Sequence, residues 1–200
     1  MRRRRGSAAA DDAAVIESSW REPERFAVLF DRHAPHIYRY LARRAGRQVA
    51  DDLVAETFLA AFAKRDRYDL SHADARPWLY GIATNLVGQH RRDQARQYRI
   101  RQAAAAEPEV PGHADKVAAD VTAQAMRTLL EGALAALPAG DRDVLLLIAW
   151  EQLTYREVSR ALDIPVGTVQ SRLHRARTKV RQVLAGTEAG TTYEELTTNE

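Results

Sequence analysis

Apolar side chains in the first half of the chain recur every three or four residues, which is the period of an amphipathic α-helix. The first such segment follows Arg25 and places these apolar residues on one side: Phe26, Leu29, Phe30, Ile37, Tyr40 and Leu41. A second covers about 50–64, and a third follows Pro77 after a polar loop at 66–76. Proline suits a first helical turn because its missing N–H would be unpaired there. The pattern therefore predicts three helices and no strand.

The second half repeats the helical pattern after a change of composition. Residues 102–122 lack aromatic side chains and contain alanine, proline and glycine, which predicts a flexible linker. Four further helices are predicted, at about 126–137, 144–148, 154–162 and 166–184. Residues 1–19 are small, polar and arginine-led, and we predict a disordered N-terminal tail there and a polar C-terminal tail at 186–200. The predicted fold class is all-α, with two small helical domains, 20–101 and 123–185, joined by the linker.

Composition excludes several classes of protein. The 200 residues contain no cysteine, so disulfides and thiolate metal sites are ruled out. No apolar run approaches the roughly 18 residues that a membrane-spanning helix needs. The N-terminus is basic, but Asp11 and Asp12 lie where a signal peptide requires an apolar core. We therefore expect a cytoplasmic protein without membrane insertion.

The formal net charge is only +3, and its distribution is more informative than its size. Residues 89–101 contain five arginines and one acid, a local balance of +4. Residues 165–184 contain four arginines, one lysine and no acid, a balance of +5. Two separated basic segments suit two contacts along one nucleic acid, although either segment alone also fits a solvated helix face.

Residues 154–177 have the pattern of a helix-turn-helix. Thr154 and Glu157 are spaced as a capping box, in which each side chain accepts from the other residue's backbone amide. After a short turn at 163–165, the next helix has an apolar side made of Val169, Leu173 and Ala176. Its opposite side is polar and basic, with Thr168, Gln170, Ser171, Arg172, His174, Arg175, Arg177 and Lys179. This arrangement is typical of DNA binding, although a helical hairpin within a protein core has the same spacing.

Three segments carry a more specific resemblance. The pattern LP…DRDVLLL…LTYREV…IPVGTVQSRLHRAR at 137–177 closely resembles the promoter-binding region of the extracytoplasmic-function (group IV) sigma factors of bacterial RNA polymerase. The segment ADDLVAETF at 50–58 resembles the polymerase-docking helix of that family. The segment PWLYGIATN at 77–85, followed by two arginines, resembles its promoter-melting helix. The motifs stand in the family's order and cover most of the chain.

The resemblance implies a division of labour between the two domains. The first domain would dock on the clamp of core RNA polymerase through Asp51, Asp52, Leu53 and Glu56. It would recognise and melt the minus-ten element, and bind its single strand, through Arg67, Arg76, Asn85, Gln89, Arg91 and Arg92. The second domain would read the minus-thirty-five duplex through the residues between Thr168 and Lys179 named above, and would contact the polymerase flap. An anti-sigma partner is also implied. No enzymatic activity, cofactor or metal is expected.

Some features leave alternatives open. Ala55 stands where the family commonly has glutamine, which removes one polar contact to the clamp. The acidic cluster around Asp52 could hold magnesium in an enzyme, but that reading needs a second acidic cluster and a large cavity. His33 and His36 lack a spaced partner for a metal site. The main alternative function is a helix-turn-helix regulator that binds duplex DNA without being a polymerase subunit.

Overall fold

The computed structural model describes residues 11–104 and 121–197, with side chains described over 11–102 and 128–185. The chain divides into two compact units, and each is described separately. The α-helices are α1 (Asp12–Ser18), α2 (Ala27–Ala45), α3 (Arg47–Ala63), α4 (Arg76–Ala104), α5 (Val121–Ala135), α6 (Ala139–Ala149), α7 (Tyr155–Leu162) and α8 (Val166–Thr197). Two 3₁₀ turns lie at Pro23–Phe26 and Arg65–Arg67. The all-α prediction is confirmed, since these described ranges contain no strand.

The first domain packs α2, α3 and α4 around a core of aliphatic and aromatic side chains. The helix α2 pairs along its length with α3, and Gly46 separates them with a φ of 90°, a conformation that glycine adopts without a Cβ clash. Leu29, Ile37 and Leu41 are at most 1% exposed, as the sequence pattern predicts. Phe30 differs from that prediction, because it is 45% exposed, although its ring packs edge-to-face with that of Phe58.

A chain of buried polar groups joins α2 to α4. The Arg44 guanidinium donates to the Tyr40 hydroxyl over 2.6 Å, and that hydroxyl bonds the Thr84 hydroxyl over 2.7 Å. The Thr84 hydroxyl also donates to the carbonyl of Tyr80, whose ring packs edge-on against Tyr40. Buried polar groups are tolerated when such bonds replace water, and they fix one register between the helices.

The prediction of disorder over residues 1–19 is wrong for residues 12–18, which form α1. Asp11 caps this helix by accepting from the Ala13 amide over 2.9 Å, and Ile16 is fully buried. Asp12 is 4% exposed and bonds His33 of α2 and the backbone of Ala75. The first domain therefore starts before residue 20. The sequence pattern did not predict α1 because this helix has no long apolar stripe. One buried isoleucine and one buried carboxylate hold it in place.

The second domain places α8 against α5 and α6. Val169, Leu173 and Ala176 are at most 2% exposed, which confirms the predicted buried side of α8. The capping box at the start of α7 is also confirmed. The Glu157 carboxylate accepts from the Thr154 amide over 2.7 Å, and the Glu157 amide donates to the Thr154 hydroxyl over 3.3 Å.

The predicted boundaries between domains are only partly open to comparison. The linker predicted at 102–122 lies almost wholly outside the described residues, although α4 includes 102–104 and α5 includes 121–122. The polar segment from 186 continues α8 as far as Thr197. Among the described residues no helix could span a membrane, and no group of histidines and acids is placed to hold a metal ion.

The buried contacts of Asp12 predict an acid-sensitive contribution to stability. Burial alone would raise the pKa of Asp12, but hydrogen bonds with His33 and the Ala75 amide outweigh it, and the pKa is lowered. A lowered pKa stabilises the fold above the ordinary aspartate value near 4, and that contribution is lost as the pH falls through the folded value. Asp12→Asn should therefore lower the free energy of unfolding by ~1–3 kcal/mol at pH 7, and this difference should shrink as the pH falls toward the lowered pKa of Asp12.

Chemical denaturation from pH 7 to pH 3 measures this difference. Asp51→Asn, at an exposed position of the same domain, is the matched control. Its free energy of unfolding should follow that of the wild type at every pH. A constant penalty for Asp12→Asn across the whole range would contradict the expectation.

Candidate nucleic-acid interface

The helix α4 has one buried and one solvent-exposed side, and the exposed side is polar and basic. Asn85, Gln89 and Arg92 are exposed and follow each other at helical spacing, so they form one stripe. Arg96 continues the same spacing and is also exposed, about 16 Å along the helix from Asn85. Amide groups followed by arginines suit base edges followed by phosphates.

Not every predicted minus-ten residue lies on this stripe. Arg91 donates to the carbonyl of Arg44 over 2.5 Å, so it closes the end of α2 within its own domain. Arg91 therefore has a structural acceptor in its own domain, and its predicted phosphate contact stays a prediction. Arg76 is partly buried at the first residue of α4, whereas Arg67 is exposed in the 3₁₀ turn before the polar loop.

The polar loop between Tyr68 and Ala75 is ordered by its own hydrogen bonds. The Asp69 carboxylate accepts from the Ser71 amide over 3.0 Å, and the Asp74 carboxylate caps α4 by accepting from the Arg76 amide over 2.9 Å. Both ends of the loop are buried, while the aspartates and Ser71 face solvent. The loop can therefore present polar groups without moving the core.

In the second domain, the outer side of α8 carries the predicted recognition residues. Gln170, His174 and Arg177 are exposed at helical spacing, so they form one stripe beside the buried Val169 and Leu173. Ser171 is exposed beside them and donates to the carbonyl of Thr168, which is itself partly buried. A helix of this kind fits a major groove, with amide and guanidinium groups placed toward base edges.

Two residues predicted to contact DNA lie close to α6 of the second domain. Arg175 donates to both oxygens of Asp141 over 3.0 and 2.8 Å, and Asp141 is 5% exposed at the first turn of α6. A bidentate pair of this kind is geometrically specific, so Arg175 already connects α8 to α6, and its predicted base contact stays a prediction. Arg172 lies on the same flank, where a Cβ at Gly140 would stand 2.7 Å from its guanidinium.

The exposed side of α3 is acidic. Asp51, Asp52 and Glu56 are all exposed, and no ion pair within the described residues engages Asp52 or Glu56. Leu53 was predicted with them, but it is 4% exposed and belongs to the core. Leu59 is the apolar residue on this exposed side, because it is 68% exposed and follows Glu56 at helical spacing.

Sequence reasoning therefore missed several residues of these surfaces. Arg96 and Leu59 could have been found by continuing the helical spacing from Arg92 and Glu56. The contacts of Asp12 left no such signal, because its partners lie more than twenty residues away in sequence.

Family models match both domains. The model of sigma-70 region 2 matches residues 29–97, and the model of sigma-70 region 4 matches residues 127–180. The first match includes the acidic side of α3 and most of the basic side of α4, and the second includes the helix-turn-helix. A regulator that binds duplex DNA alone accounts for the second match but gives no reason for the first.

Characterised relatives resemble the chain over most of its length. The ECF RNA polymerase sigma factor SigL of Mycobacterium tuberculosis is 30% identical over 178 residues, which are 88% of this chain and 93% of that protein. SigE of Mycolicibacterium smegmatis is 34% identical over 190 residues, 89% of this chain but only 65% of the relative. SigW of Bacillus subtilis is 28% identical over 82% of this chain and 90% of that protein.

Solved structures agree on the fold. The sigma factor RpoE in complex with the anti-sigma factor NepR from Bartonella quintana superposes with a TM-score of 0.58 at 22% identity, over 80% of this chain and 96% of that one. CnrH in complex with the cytosolic domain of CnrY gives a TM-score of 0.61 at 23% identity, over 88% and 99%. With both regions matched in order and relatives aligned along both domains, the chain belongs to the ECF RNA polymerase sigma factors.

Proposed function

We propose that this sigma factor docks on core polymerase through α3, captures the melted minus-ten element with α4 and the polar loop, and reads the minus-thirty-five duplex with α8. The observation that carries the proposal is that the acidic and basic surfaces lie on separate helices of two folded units. The side chains of each surface are exposed outside the buried stripe of their helix, so a partner can bind them without disturbing the core. The chain supplies recognition, and the chemistry of transcription belongs to the polymerase.

The docking surface of the proposal consists of Asp51, Asp52, Glu56 and Leu59. Unpaired carboxylates stabilise their own domain little, whereas they contribute to binding when a basic partner surface is desolvated against them. The exposed leucine adds apolar area beside the charges. Ala55 lies between them without a polar group, so carboxylates and leucine carry the contact.

The second domain divides its basic residues by what they already bind. Arg172 and Arg175 face α6, which leaves Gln170, His174 and Arg177 for the groove. Glutamine can address adenine through paired hydrogen bonds. Lys179 is exposed further along the helix, where a phosphate contact is the simpler role.

The finer assignments belong to the same proposal. Only residues 98–126 separate the two matched regions, which supports the group IV class with its short connection between domains. The resemblance to the family supports an anti-sigma partner and a contact between the second domain and the polymerase flap. It also supports action in the bacterial cytoplasm, where the chromosome and the polymerase are.

The docking role predicts a loss of polymerase binding on charge reversal. Asp52→Lys combined with Glu56→Lys should weaken binding to core polymerase by ~2–5 kcal/mol, because two attractive contacts become repulsive. The domain should remain folded, since both side chains are exposed. Glu17→Lys combined with Glu24→Lys makes the same change in net charge at exposed positions outside α3 and serves as the control. Equal affinities for the two double variants would reject the docking surface.

The capture role predicts a defect that depends on the state of the DNA. Extruding a base costs a few kcal/mol, which contacts to the base edge must offset. Asn85→Ala should therefore slow open-complex formation on duplex promoters much more than on pre-melted ones. The matched control is Gln94→Ala, an exposed amide on the opposite side of α4. Equal slowing of Asn85→Ala on both templates would argue against a role in melting.

The reading role predicts that base and phosphate contacts separate along α8. Gln170→Ala should weaken binding to the preferred sequence by about 1–3 kcal/mol and reduce the discrimination between bases at one position of the minus-thirty-five element. Lys179→Ala should leave the preferred sequence unchanged and weaken binding to all sequences alike. It should also lower the slope of log affinity against log salt concentration by roughly one unit. Binding selections on randomised minus-thirty-five duplexes measure both. The recognition helix is misplaced if both variants return the wild-type motif at wild-type strength.

A further inference from the structure

In the described part of the chain, the hydrogen bonds between the short helix α1 and the polar loop all involve Asp12. The Asp12 amide donates to the Ala73 carbonyl over 3.0 Å, and the Asp12 carboxylate accepts from the Ala75 amide over 2.9 Å. The same carboxylate contacts His33 over 2.8 Å and Arg32, both from α2. One buried side chain therefore connects α1, α2 and the end of the loop.

At its N-terminal end the loop is held by the buried Tyr68, whose ring packs against Trp78 of α4 with ring centres 5.0 Å apart. Its tip is held by local bonds, namely the Asp69–Ser71 turn and a bond from the Tyr68 hydroxyl to the His72 carbonyl over 2.7 Å. Burial raises the pKa of Tyr68, so its hydroxyl stays protonated and donates. These bonds shape the loop but do not tie its C-terminal half to α2. Among the described contacts, Asp12 performs that task.

We propose that Asp12 is a positioning residue for minus-ten capture: α1 acts as a latch that holds the loop in the geometry that selects the base. The inference rests on the proposed function, in which the loop and α4 capture a melted base. Asp12 itself is buried and touches no DNA. Its effect on base preference passes through the backbone at 73–75, which directly precedes the cap of α4.

The chemistry explains why an aspartate suits this place. One oxygen receives the Ala75 amide and His33, while the other receives Arg32, so both oxygens are used. Hydrogen bonds from Arg32 and His33 hold the carboxylate against α2, and the carboxylate then holds the loop. A loop displaced by about 1 Å loses directional hydrogen bonds to a base edge, since such bonds weaken steeply with distance and angle.

The test compares two substitutions at Asp12 in holoenzyme reconstituted from the full chain and bacterial core polymerase. Asp12→Ala removes both oxygens, whereas Asp12→Asn keeps one acceptor for the Ala75 amide. The probe is a pool of single-stranded non-template DNA randomised across the minus-ten positions. The readout is the enrichment of the preferred base over the next best one, which is a ratio and does not depend on the amount of folded protein.

We expect Asp12→Ala to reduce this ratio about tenfold, which corresponds to ~1.4 kcal/mol, and Asp12→Asn to retain most of it. Thr57→Val is the control, because it deletes a buried hydroxyl of the same domain whose hydrogen bond, to the Leu53 carbonyl, stays within α3. It should lower stability and leave the ratio unchanged. Where Asp12→Ala does not fold, Asp12→Ser takes its place, since its hydroxyl is one bond too short to reach the Ala75 amide.

The outcomes separate this inference from the proposed function. If wild-type holoenzyme shows no base preference in single-stranded DNA, the capture role of the first domain fails. If wild type shows a preference and the alanine or serine variant keeps it in full, the latch alone is overturned. An equal loss in Thr57→Val also overturns it, because general destabilisation then accounts for the effect.

Discussion

Each domain depends on the burial of one side of a long helix, α4 in the first and α8 in the second. Leu79, Ala83 and Val87 are fully buried along α4, and Val169, Leu173 and Ala176 are buried along α8. Because an α-helix repeats every 3.6 residues, burying one side leaves the opposite side to solvent over the same length. The surface proposed for DNA therefore takes its orientation from the core that fixes the helix.

Buried polar contacts decide how these helices are held in detail. Arg44, Tyr40 and Thr84 join α2 to α4, and Asp141 joins α6 to Arg175 of α8. Such contacts add little net stability compared with apolar burial, but removing one partner leaves the other unsatisfied. They consequently favour one arrangement of the helices over near alternatives. In the first domain, Asp12 extends this principle to the loop before α4.

The arginines of this chain serve two different purposes that composition cannot separate. Arg91 and Arg175 bond acceptors of their own domains, whereas Arg92 and Arg177 are exposed on the polar sides of α4 and α8. A guanidinium that already donates to a fixed acceptor is a weaker candidate for a base contact, since binding DNA would first break that bond. The density of arginine thus overstates the number of contacts available to DNA.

The sequence by itself determined the fold class, the helix periods, the capping box at Thr154 and the family. These properties depend on contacts within one helix or on motifs of contiguous residues, and both kinds of pattern can be identified in the sequence alone. The tertiary structure decided that Leu53 is core and Leu59 is surface, that Arg91 and Arg175 are engaged, and that Asp12 anchors a loop more than sixty residues away. Those outcomes depend on which side chains meet across elements, and helical spacing alone does not specify the partner that a side chain meets.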